Sequence, residues 1–179
     1  MPLLQEDFYT VDYIESLPEG RRAELIDGYV YDLACPSDTH QNIIANLTAD
    51  IIYYIRSHNG KCRTRPAPYA VYLNNDEYTY VEPDISVICD PARMDEKGCH
   101  GAPDWIMEIV SPASMRMDYI IKLYKYQAAG VREYWIIDPD KKEVMVYNFE
   151  NDHYQNYSFL TPVPVGIYPG FEINLGEYT

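Results

Sequence analysis

Two carboxylates stand in runs where a buried strand should carry none. Asp84 lies in the stretch Val81-Glu82-Pro83-Asp84-Ile85-Ser86-Val87-Ile88-Cys89, and Glu108 in Trp105-Ile106-Met107-Glu108-Ile109-Val110. Both stretches are apolar and β-branched and end in turn-forming residues, so they read as short buried strands. Strand alternation puts Ile106, Glu108 and Val110 on one face and Trp105, Met107 and Ile109 on the other. Both faces are apolar, so Glu108 is expected in apolar surroundings, where an unpartnered polar group costs several kcal/mol. It must be protonated, paired or bound to a cation. Two such acids on neighbouring strands make a hard oxygen site for a divalent cation. One buried acid alone is better explained by a structural bond to Arg or backbone N–H. Two acids, followed by a helix with a polar stripe, favour a site. That stripe is Asp118, Lys122 and Tyr126, spaced by four. Its competing reading is an exposed Asp118–Lys122 pair, worth about a few tenths of a kcal/mol.

The surrounding elements follow from pattern. Residues 10–16 read as a short helix capped by Thr10 and stopped at Pro18. Residues 22–31 read as a hairpin turning at Asp27-Gly28. Glu24 shares a face with Ile26, and the sequence alone favours an exposed Glu24. Ser37 caps a helix to about His58 with Ile44, Leu47, Ile51 and Ile55 as its apolar stripe. His40 precedes Ile44 by four, so it faces the core at the helix start, where a histidine is more often structural than a ligand. Residues 61–73 form a strand that Pro66 and Pro68 demote to an edge or a bulge. Residues 74–77 turn. Residues 90–103 form a charged, Gly-containing loop, long enough to be mobile or functional. Ser114 caps a helix to about Ala129, closed by Gly130, with Ile120, Tyr124 and Ala128 as its buried stripe beside Ile121 and Leu123. Residues 133–138 form a buried strand, residues 143–149 and 154–160 a hairpin across Asn151-Asp152, and residues 169–175 a last extended segment. The Glu108 strand, the following helix and the Trp135 strand make one right-handed βαβ unit, and ligands of such sheets sit at strand ends.

Composition bounds the rest. A chain of 179 residues without linker, repeat or low-complexity tract reads as one domain, 1–179. Its formal charge of −14 disfavours passive attraction to phosphate backbones. A nucleic-acid role therefore needs bound cations or a local basic patch. Residues 1–7 have neither a basic start nor a long apolar run, so no signal peptide and no membrane span are expected. Cys35, Cys62, Cys89 and Cys99 show no close-pair metal spacing, and a reduced, cytoplasmic protein is expected. Most of the 19 tyrosines are expected at the rim of the core. Aromatic patches and the C-terminal strands suggest a homodimer.

A set of pieces in fixed order resembles a known family. It comprises Glu24-Leu25-Ile26-Asp27-Gly28, residues 37–41, Glu82-Pro83-Asp84, Gly101-Ala102-Pro103-Asp104 and Glu108-Ile109-Val110-Ser111-Pro112. It continues through Asp118, Lys122 and Tyr126, residues 130–139 and Pro169-Gly170-Phe171. Together these resemble the Uma restriction-endonuclease domain family of the PD-(D/E)XK nuclease superfamily, over nearly the whole chain. The resemblance implies a mixed α/β fold with a restriction-endonuclease-like core. In it a mixed central sheet is flanked by helices, with an extra N-terminal hairpin and C-terminal antiparallel strands. It implies Mg²⁺-dependent hydrolysis of DNA phosphodiesters, with Mn²⁺ as a substitute. Asp84 and Glu108 would be the metal ligands, with the Val110 carbonyl as a third. The chain departs from the superfamily at position 110, where the superfamily lysine would stand and Val110 stands instead. The resemblance points to Lys122 as the displaced lysine and puts Glu24 and His40 at the edge of the site. Two alternatives stay open: a catalytically silent binding module on the same fold, and a hydrolase of small phosphate esters.

Overall fold

The prolines and glycines of this chain divide it into many short strands. The structure, a computed structural model, describes residues 8–178; residues 1–7, on which the absence of a leader was read, lie outside the described residues. Helix α1 (Val11–Glu15) leads into the hairpin β1 (Ala23–Ile26) and β2 (Tyr29–Asp32). Thr10 stands at the N-cap of α1 but makes no side-chain cap bond. Asp27 and Gly28 take φ of 51° and 82°, the left-handed pair that a two-residue hairpin turn requires. Helix α2 (Asp38–Ser57) is capped as expected: Ser37 Oγ accepts the His40 N–H at 3.2 Å.

The next part of the chain alternates between two sheets. Strands β3 (Arg63–Pro66), β4 (Val71–Tyr72), β5 (Tyr80–Val81), β6 (Ile85–Ile88), β7 (Cys99–His100) and β8 (Trp105–Ile109) come before a π turn, Met117–Ile121, that runs into α3 (Lys122–Ala129). Then follow β9 (Glu133–Asp138), β10 (Glu143–Asn148), β11 (His153–Ser158), β12 (Val163–Pro164) and β13 (Glu172–Ile173). The six-stranded sheet has the order β11-β10-β9-β8-β6-β3; the five-stranded sheet has the order β2-β1-β5-β4-β7; β12 and β13 pair by themselves. In the large sheet β8 and β9 are parallel, joined through α3, and the other pairs are antiparallel.

The central strands of the large sheet, β6, β8 and β9, are buried on both faces, which is why they carry continuous apolar runs. Trp105, Met107 and Ile109 pack with Ile43, Leu47 and Ile51 of α2. Ile106, Val110 and Ile136 pack on the other side, with Tyr126 of α3 and Ile26 and Val71 of the small sheet. The alternation read along the Glu108 strand is therefore the alternation found.

Four readings need correction. The Asp84 stretch is two strands rather than one: β5 belongs to the small sheet and β6 to the large one. Pro83, with no N–H to give a ladder, stands at the crossing. Residues 61–73 likewise split into β3, an edge strand of the large sheet as its prolines suggest, and β4 in the small sheet. Residues 90–103 are no free loop, because β7 within them pairs parallel with β4. Cys62 and Cys89 are bonded to each other rather than reduced; they lie opposite one another beside the Arg63↔Ile88 pair of β3 and β6. Antiparallel pairing brings together thiols 27 residues apart that spacing alone does not connect. Cys35 and Cys99 remain free thiols. Among the described residues no helix is long and apolar enough to cross a membrane.

Candidate active site

The register of β6 against β8 decides where the two acids meet. Ile85 pairs with Met107 in antiparallel order, so Asp84, one residue before β6, stands across from Glu108. Each acid then braces the other's strand. The Asp84 N–H donates to Glu108 Oε2 at 3.2 Å, and the Ile109 N–H donates to Asp84 Oδ2 at 2.7 Å. The neighbouring Val110 N–H donates to the Ile137 carbonyl at 2.8 Å, which ties this strand end to β9.

Lys122 joins this pair from α3. Its Nζ donates to Glu108 Oε1 and to Glu24 Oε1, both at 2.9 Å, and lies 4.0 Å from Asp118 Oδ1. The residue is only 4% exposed. The exposed Asp118–Lys122 pair allowed by the sequence is thus overturned, and so is the expected stripe of Ile120, Tyr124 and Ala128. Ile120 is 52% and Tyr124 68% exposed, and Asp118, Lys122 and Tyr126 form the buried face. The reason is electrostatic. Buried carboxylates on both sheets need a cation, and the helix can supply Lys122 only by turning its polar stripe inward.

Glu24 is buried as well, contrary to the exposed position expected for it. It accepts from Lys122 and, through Oε1, from the Glu82 N–H at 2.9 Å. No local pattern in the β1 sequence marks this, since the partner is a lysine 98 residues away. Tyr126 completes the group: its hydroxyl donates to Glu108 Oε1 at 2.6 Å. His40, in the first turn of α2, places Nε2 3.1 Å from Asp84 Oδ2. All five side chains named from the sequence therefore converge, together with Val110, on one cleft of about 920 Å³. Arg22 and Lys142 also line it, and Arg22 is anchored by Glu82 Oε2 at 2.5 Å.

The charges are out of balance in a way that matters chemically. Burial pushes Glu108 up to about 8, with Lys122 pulling the other way. Every contact to Glu108 comes from a donor, which suits an ionised, acceptor-only carboxylate. Burial pushes Asp118 up to about 6, again opposed by Lys122. Lys122 is raised: burial lowers it, but Glu108, Glu24 and Asp118 outweigh that. His40 is also raised, because Asp84 outweighs its burial. One lysine facing four acids leaves an excess of negative charge at the cleft, which a cation would relieve.

The donor set fits such a cation only in a particular form. Among the described residues no three His, Cys, Asp or Glu side chains are arranged as a metal cage. Two opposed carboxylates and a main-chain carbonyl at Val110 are hard oxygen donors, and Mg²⁺, which keeps several waters, needs no more from side chains.

The Uma2 family model, described as "Putative restriction endonuclease", matches residues 6–176. The chain belongs to the Uma2 family. A crystal structure of a putative nuclease belonging to DUF820, from Anabaena variabilis, is similar with a TM-score of 0.77 and 22% identity, over 94% of this chain and 96% of that one. At that identity the likeness speaks for the fold, and the mixed α/β architecture expected from the resemblance is borne out. No curated protein matches the chain. Within this Uma2 chain, Lys122 reaches Glu108 from the helix that follows its strand.

Two outcomes follow for the buried charges. Lys122→Ala should destabilise the fold by about 3–5 kcal/mol, the scale for stranding buried partners of a removed charge, rather than the tenths of a surface pair; urea unfolding measures it. Asp118 is an acid whose folded value is raised, from 3.8 to about 6. Its favourable contribution is therefore complete below its ordinary value and lost as pH rises through the folded one. Asp118→Asn should be more stable than wild type above pH 6, with the difference closing towards pH 3.8; unfolding curves at both ends of that window check the sign.

Proposed function

We propose that this chain is a divalent-metal-dependent endodeoxyribonuclease, using Mg²⁺ or Mn²⁺ held by Asp84, Glu108 and the Val110 carbonyl. The observation that carries this is the opposed pair of carboxylates beside a buried lysine, all lining one cleft. When bound, the cation would polarise the phosphate and supply a nucleophilic water near neutral pH. The remaining work belongs to the chain. Lys122 has three donors. Two rest on Glu24 and Glu108, while Asp118 at 4.0 Å is too far for a hydrogen bond. The third N–H is the one that would orient the attacking water or stabilise charge developing at phosphorus. Glu24 holds Lys122 in place, and His40 holds Asp84. Arg22 and Lys142 are the cations on the cleft wall that would face flanking phosphates.

One observation favours a second reading. The cleft wall also carries Asp32, Glu82 and Asp140, and the chain as a whole has a charge of −14. A small phosphate ester would meet less repulsion there than a long duplex. A homodimer belongs to the same proposal: among the described residues β11 ends the large sheet with a free edge, and its stretch His153–Ser158 has no Pro, Lys, Asp or Glu to blunt it.

Supercoiled plasmid with Mg²⁺ or Mn²⁺ tests the main reading. Nicked and linear products are expected, and Asp84→Asn and Glu108→Gln should abolish them. Lys122→Met should slow cleavage by about two to three powers of ten, the scale for losing one preorganised donor. Lys125→Ala, at a lysine paired with Asp27 outside the cleft, should leave the rate unchanged. Intact plasmid together with hydrolysis of a nucleotide monoester would move the assignment to small esters. Inertness towards both, with Mn²⁺ still bound, would leave a silent binding module. Light scattering at micromolar concentration should give a dimer mass, and a monomer mass would remove the dimer from the proposal.

A further inference from the structure

A carboxylate offers two oxygens, and which one meets a metal decides the kind of metal site it makes. At both candidate ligands one oxygen is already saturated. Glu108 Oε1 accepts from Tyr126 Oη at 2.6 Å and from Lys122 Nζ at 2.9 Å. Asp84 Oδ2 accepts from the Ile109 N–H at 2.7 Å and faces His40 Nε2 at 3.1 Å. Two donors fill the lone pairs of each oxygen. The opposite oxygens are held less: Glu108 Oε2 takes the 3.2 Å bond from the Asp84 N–H, and among the described residues no hydrogen bond falls on Asp84 Oδ1.

We propose that Tyr126 and His40 are positioning residues that make each ligand monodentate, by occupying Glu108 Oε1 and Asp84 Oδ2 so that only Glu108 Oε2 and Asp84 Oδ1 ligate. This rests on the metal-site reading above. Mg²⁺ and Mn²⁺ sites built on water and single carboxylate oxygens suit this arrangement, whereas Ca²⁺ readily takes a bidentate carboxylate. The pair thus selects the smaller ion.

Packing alone does not account for either residue. Tyr126 is fully buried among apolar side chains, its ring edge-on to Tyr134 at 4.9 Å and 77°. A phenylalanine would fill that space equally well, so the hydroxyl is the part that needs a reason. Tyr134 in turn donates to the Asp118 carbonyl at 3.0 Å, which fixes the ring that Tyr126 rests on. Among the described residues the His40 Nδ1 is buried without a hydrogen-bond partner. A histidine kept for the core would satisfy both nitrogens; this one is placed by its contact with Asp84.

Calorimetric titration of the intact chain with Mn²⁺ and separately with Ca²⁺ tests the assignment, in wild type, Tyr126→Phe and His40→Ala. Each variant should bind Mn²⁺ about 10–100-fold more weakly, as loss of an outer-shell partner does. Ca²⁺ affinity should fall less, so the Mn²⁺-to-Ca²⁺ preference should drop by about tenfold. A structural role would lower the melting temperature and leave that preference as in wild type. Wild type that binds Mn²⁺, with an unchanged preference in both variants, overturns the positioning role and leaves the metal site standing. Wild type that binds no Mn²⁺ overturns both. If Tyr126→Phe does not fold, His40→Ala, in the first turn of α2, decides the matter alone.

Discussion

One buried ammonium holds this structure together. Lys122 meets Glu24 from the small sheet, Glu108 from the large sheet and Asp118 from its own helix. Removing four charged groups from water is strongly unfavourable, and only close, well-directed contacts offset it. The two 2.9 Å bonds from Nζ are such contacts, and they work only if both sheets and α3 stand where they do. The cluster is therefore a positional constraint more than a source of stability. It leaves more negative than positive charge, a poor design for a core and a good one for a cation site.

The rest of the site follows from how the chain reaches that point. Pro83 breaks the ladder between β5 and β6, and the break releases Asp84 from ordinary strand pairing just where it faces Glu108. The reciprocal bonds, from the Asp84 N–H to the Glu108 carboxylate and from the Ile109 N–H to the Asp84 carboxylate, hold this irregular corner without a continuous ladder. A strand break beside two opposed carboxylates gives side chains an approach that a regular sheet would close.

The helix shows why amphipathic reading failed here. Ile120, Tyr124 and Ala128 make a plausible apolar stripe, and elsewhere such a stripe would turn inward. Here the opposite face carries the residues with most to gain from burial in this setting, because the acids across from it are already fixed by the sheets. The π turn Met117–Ile121 sits at the start of that helix, where it adjusts the phase with which Asp118 and Lys122 arrive. The exposed Ile120 and Tyr124 are the consequence.

The sequence by itself determined many of the elements and nominated the residues of the candidate site. Alternation of apolar residues defines the faces of β8 within the sequence itself, because a strand buried on both sides needs apolar residues at every position, and Glu108 stands out against that need. The Asp27-Gly28 turn, the Ser37 cap, the Gly130 stop and the β10–β11 hairpin follow from local backbone chemistry and were legible for that reason. The order of motifs was enough to suggest the family and to nominate Asp84, Glu108, Lys122, Glu24 and His40. Only the tertiary structure decided which way α3 faces, that Glu24 is buried, that the Asp84 stretch divides between two sheets, and that Cys62 meets Cys89. These four depend on pairings between residues distant in sequence. Local patterns encode the conformation a segment prefers, but not the charge or thiol that folding brings against it.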